Sequence, residues 1–95
     1  MIHIPKRVKI GPVVYAVKAL NGDEDEDYWG RHDFGDLEIR IKMELESPQL
    51  DIVYLHEVIH AMAEVYMGRK LVEAQVKQFS FALYDFLTRN KIFDE

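Results

Sequence analysis

The first half of the chain alternates between apolar and polar positions, and the second half recurs every three to four residues. Val8 and Ile10 share one face of a short strand, Gly11-Pro12 marks a turn, and residues 13–19 form a second strand rich in β-branched and aromatic side chains. Asn21-Gly22 signals the next turn. The cleanest alternation comes later, with Leu37, Ile39, Ile41 and Met43 pointing one way and Glu38, Arg40 and Lys42 the other. That pattern predicts a half-buried strand with one wet face, lying at a sheet edge.

Ser47-Pro48 then reads as a helix start, Ser47 as the capping residue and Pro48 in the first helical position. The helix is expected to run to about Met67, where Gly68 supplies a stop. Leu50, Ile52, Val53, Leu55, Val58, Ile59, Met62 and Val65 make it apolar on most of its circumference, the signature of a buried helix. A second helix is expected from Val72 or Glu73 to about Arg89-Asn90, packing through Val76, Phe79, Leu83, Phe86 and Leu87. Strands followed by two helices predict an α+β fold, a small mainly antiparallel sheet packed against two helices, in a single domain over residues 1–95.

Composition narrows the function. The chain has 12 Lys and Arg against 17 Asp and Glu, a net charge of -5, and five of those acids form one run over residues 23–27. The remaining balance is even, which argues against a nucleic-acid partner, since phosphate binding needs a basic face. The run itself is expected to be a solvated loop; overhanging the edge strand, it would favour basic peptides by an attraction that salt weakens. No apolar stretch is long enough for a signal peptide or a membrane span, so a cytoplasmic protein without membrane contact is expected. Cysteine is absent, so any zinc must be held by His and carboxylate.

Within the apolar helix stands His56-Glu57-Val58-Ile59-His60, an H-E-x-x-H sequence. Residues four apart lie one turn apart on the same helix face, so both imidazoles can reach one ion. Glu57 is offset by about 100° and flanks the metal, where a general base for water is needed. Three polar residues interrupting a core helix would be costly to bury unpartnered. The alternative is a pair of histidines satisfied by hydrogen bonds at the helix surface. A two-His, one-carboxylate set would hold iron as well as zinc.

For a third ligand, Glu73 in the first turn of the second helix can fold back toward the first, sharing a face there with Val76, Ser80 and Tyr84. His3 and His32 compete for the role, and Glu73 could equally be an acid favoured at a helix N-terminus. Glu64 continues the spacing from His60 but lies about 6 Å along the helix from the shared ion, as a backing or solvent-facing carboxylate. His32, in a loop before the alternating strand, is either solvated or a donor to a developing oxyanion. Tyr54, Tyr66 and Tyr84 fall in helical packing patterns and read as core or helix-surface aromatics.

The stretch running from Leu37-Glu38-Ile39-Arg40-Ile41 through Leu55-His56-Glu57-Val58-Ile59-His60-Ala61 to Glu73-Ala74-Gln75-Val76 resembles the zincin-type metallopeptidases. More narrowly it is similar to very small phage- and prophage-associated metallopeptidases, and more loosely to the ImmA/IrrE family. The resemblance covers roughly the C-terminal two-thirds of the chain. It implies His56, His60 and Glu73 as zinc ligands, Glu57 as general base, and a peptide or protein substrate cleaved by a zinc-activated water. In zincins an extended peptide adds to the edge strand beside the active-site helix, which here would be residues 37–43. No second signature marks a side-chain pocket or an oxyanion donor, so a non-catalytic zinc-binding or protein-interaction module of phage origin is the alternative expectation.

Overall fold

The computed structural model describes residues 3–20 and 29–92. The Asn21-Gly22 turn and the acidic run 23–27 lie outside the described residues, and so does any influence of that run on substrate choice. Four strands and two helices make up the fold: β1 (Arg7–Ile10), β2 (Val13–Ala19), β3 (Gly30–Asp33), β4 (Glu38–Ile41), α1 (Gln49–Met62) and α2 (Glu73–Arg89). The sheet order is β1-β2-β4-β3, antiparallel at both outer pairs and parallel between β2 and β4. This is the α+β arrangement that the alternation and periodicity predict, with a sheet that is mainly antiparallel. Among the described residues no helix is long and apolar enough to cross a membrane.

β4 is an interior strand, not the expected edge. Its backbone pairs with β2 on one side and β3 on the other, while Ile39 and Ile41 are fully buried. Its polar face carries Glu38, which accepts from Lys18 Nζ at 2.6 Å and from Arg40 NH2 at 3.0 Å. Alternation reports that one face of a strand is wet and is silent on its lateral neighbours, so an interior strand of a one-sided sheet alternates just as an edge strand does. The edges are β1 and β3, and it is β3 that lies against α1.

The core joins Ile10, Tyr15, Val17, Ile39 and Ile41 of the sheet to Tyr54, Leu55, Val58 and Ala61 of α1. α1 begins one residue later than its sequence signals suggest. Pro48 stands at the cap position, and the Ser47 hydroxyl donates to Asp51 Oδ2 at 3.2 Å instead of capping the backbone. At its other end α1 widens into a π-helical turn over Ala63–Met67, and Gly68 closes it in the left-handed conformation, φ 64°. That φ is open to glycine at no steric cost, which is why the helix stops there.

α2 packs on α1 through Val76 and Ser80, both buried, with Leu83, Tyr84 and Leu87 half-buried beside them. Phe79 and Phe86, expected in this face, are 58% and 56% exposed. The spacing explains the difference. At about 100° per residue, positions 76, 80, 83 and 87 cluster on one stripe, and 79 and 86 fall on its flank. Ser80 answers its own burial by donating to the Lys77 carbonyl at 2.8 Å, so a small polar residue is fully buried without an unmet hydrogen bond.

Candidate metal centre

His56 and His60 stand one turn apart on the face of α1 that meets the start of α2, their ring centroids 4.9 Å apart and their planes at 63°. Glu73, the first residue of α2, reaches back between them. Its Oε2 lies 3.0 Å from His56 Nε2 and its Oε1 2.6 Å from His60 Nε2. One donor atom from each residue falls within 4.8 Å of the others, the spacing of ligands around a single ion, and among the described residues this is the group of His, Asp and Glu that meets that condition. His3 is exposed and takes no part.

The two Glu73 contacts differ in kind. His56 Nε2 and the carboxylate have hydrogen-bond geometry. His60 Nε2, on a residue only 7% exposed, makes no hydrogen bond, although a carboxylate oxygen is 2.6 Å away. A buried ring nitrogen left unmet beside an anion is costly as a hydrogen-bonding group. Burial holds the His56 imidazole below its usual pKa, outweighing the Glu73 carboxylate that pulls the other way, and so favours the neutral form that metals require. An imidazole, imidazole, carboxylate set of this kind suits zinc.

Glu57 flanks the histidine row and packs into the contact between α1 and β3. Burial, reinforced by the Glu73 charge, raises its carboxyl from 4.5 to about 7. β3 comes this close because residue 30 is glycine. A Cβ there would sit 2.8 Å from Val53 Cγ1, 2.9 Å from Glu57 Cγ and 3.0 Å from Glu57 Oε2. Gly30→Ala is therefore expected to cost about 1–3 kcal/mol as an overpacked contact. Urea denaturation measures this, and a variant as stable as the parent would show that β3 is not pressed against Glu57.

The raised carboxyl has a consequence for the metal-free protein. Between pH 4.5 and about 7 the folded chain keeps Glu57 protonated where the unfolded chain ionises it. The folded state then holds the extra proton, so this contribution is complete at low pH and is lost as pH rises through that window. The displacement is worth about 3 kcal/mol. Chelator-treated protein is expected to lose about 2–3 kcal/mol more stability than Glu57→Gln protein on going from acid to mildly alkaline pH. Parallel urea titrations of the two proteins read the difference, and identical pH profiles would place Glu57 in contact with water.

His32 belongs to β3, not to a loop. Its ring stacks on His60 with centroids 5.5 Å apart and planes at 3°. Its Nδ1 lies 4.0 Å from Glu57 Oε1 and its Nε2 3.9 Å from Glu64 Oε1, too far for direct hydrogen bonds and within reach of one bridging water. Burial, then the neighbouring His60, lowers its pKa. Glu64, in the π-helical turn, thus backs His32 and stands outside the ligand group.

The centre opens into a groove of ≈ 840 Å³ between α1, α2 and β3. Pro48, Ile52 and Val53 of the α1 side, with Trp29, form its apolar wall, and Lys70, Lys77 and Phe81 line the α2 side. Gly30, Lys70 and Lys77 are site residues that the sequence pattern does not single out. The one available signal was a glycine at the head of a strand, which marks close approach of another group. Compared with known proteins, the chain matches no protein-family model, no curated protein and no solved structure.

Proposed function

We propose that this chain is a zinc-dependent metallopeptidase in which His56, His60 and Glu73 hold the ion and Glu57 is the general base. The observation that carries the reading is the convergence of Nε2 of His56, Nε2 of His60 and the Glu73 carboxylate, with the buried Glu57 carboxyl beside them and an open groove in front. Zinc bound there would supply Lewis-acid activation of a water and of the peptide carbonyl. Glu57 takes the proton of the attacking water, keeps it at a carboxyl whose burial favours the protonated form, and gives it to the leaving amine. Among the described residues β3, not β4, is the edge strand beside this centre, and it is the strand to which an extended peptide would add. His56 and His60 have no proton to exchange in this scheme; their task is to hold the ion.

The test is cleavage of a peptide library by zinc-loaded protein. Turnover that chelator removes and zinc restores is the expected result, and zinc-loaded protein that cleaves nothing in the library sinks the peptidase reading. A second reading, a non-catalytic zinc-binding interaction module, draws support from Val72, Phe79 and Phe86, exposed at seven-residue spacing along α2. It predicts bound zinc without turnover.

A further inference from the structure

The ionisable side chains lining the groove carry both signs. Lys70 and Lys77 contribute positive charge, and among the described residues Glu57 and Glu73 are the carboxylates that line it. Both carboxylates are committed to the centre, Glu73 as ligand and Glu57 as base, and a divalent ion balances the two of them. Among the described residues, what remains facing the groove is cationic, in a chain whose net charge is -5. Lys77 follows Glu73 by one turn of α2 and therefore stands on the same helix face as the ligand. Lys70 lies three residues before Glu73, in the segment that leads from the Gly68 stop into α2. The two lysines thus flank the carboxylate ligand from either side along the chain. Among the described residues, the Trp29, Ile52 and Val53 side chains that also line the groove are apolar.

We propose that the groove selects peptides bearing a carboxylate near the scissile bond, held by Lys70 and Lys77. This rests on the metallopeptidase reading and adds its substrate class. The sign is opposite to the preference that the acidic run 23–27 suggests from sequence alone. The carboxylate has two sources in a peptide, an acidic side chain or a free C-terminus, and the same ammonium groups would hold either. Apolar neighbours would pack against Trp29 and Ile52, so the preferred sequence pairs an acid with large apolar residues. Exposed charge pairs are individually weak, and two of them acting together give about a 3- to 20-fold discrimination. Added salt shrinks it.

Binding tests this without turnover. Zinc-loaded Glu57→Gln protein leaves peptides intact, so fluorescence anisotropy can compare one labelled sequence carrying a central Glu, Gln or Lys, each with a free or an amidated C-terminus. The expected order is Glu over Gln over Lys, about 3- to 20-fold across the series, reduced by salt and levelled by Lys70→Gln/Lys77→Gln in the same background. A gain that follows the free terminus and not the central residue assigns the carboxylate to the C-terminus. A flat series, tightest binding of the Lys peptide, no measurable binding of any peptide, or an order that survives the double substitution overturns the proposal. Cleavage by the unmutated protein is read separately: the binding order without cleavage removes the peptidase and keeps the groove, and cleavage without the order does the reverse.

Discussion

Glu57→Gln protein is expected to keep the zinc content of the parent and to lose peptide cleavage by a factor of about 10²–10⁴, the range that a positioned general base contributes. The substitution is nearly isosteric, so the contact with Gly30 and Val53 survives. What changes is the capacity to accept a proton. An amide cannot take one from water, and the donors of its NH₂ point where a lone pair is needed. Zinc content stays because Glu57 is on the flank of the histidine row and contributes no atom to the ligand group. Two measurements carry this, zinc per chain by elemental analysis and turnover on any peptide that the parent cleaves. Loss of both together would mean that Glu57 holds the fold or the ion; retention of both would remove it from the chemistry.

His56→Ala has the second large effect, on the metal itself. Zinc sites of three or four ligands bind with about 10–16 kcal/mol in all, so each ligand carries enough that losing one weakens binding on the order of 10²–10³-fold. Zinc per chain is then expected to fall from one to a small fraction after dialysis at trace metal, and with it all chelator-sensitive activity. Glu73→Ala should fall in the same range, since its carboxylate meets both rings. His32→Ala is the control: its ring stacks on His60 but supplies no atom to the group, so zinc content should stay near one. Zinc retained by His56→Ala protein would show that the ion, if bound, sits elsewhere.

Much of this centre is legible in the sequence because its central part lies on one helix. The pairing of His56 with His60 depends only on helical geometry, and a helix is what the apolar pattern around it predicts. Glu73 is harder, since its position depends on how α2 turns back after Gly68; the inward face it shares with Val76 and Ser80 was the available clue, and both those residues are buried. The lateral order of the strands was not legible. Ile39 and Ile41 alternate with Glu38 and Arg40 whether or not β3 lies outside them, so the pattern does not separate an edge strand from its neighbour. Phe79 and Phe86 differ from expectation for a related reason: large apolar side chains on the flank of a helical stripe look like core, whereas the buried stripe runs through Val76 and Ser80. Contacts between segments distant in the chain, such as Gly30 against Glu57, leave no periodic trace at all.

The hydrogen bond between His56 and Glu73 joins two helices across 17 residues of chain. Its presence means that the carboxylate is already in position before any ion arrives. The entropy of bringing the second helix against the first is met during folding, and metal capture has little left to organise. On the metallopeptidase reading, uptake of an ion would then resemble a key entering a finished lock: a small heat-capacity change, fast association, and an affinity governed by the release of protons and water from the three ligand atoms.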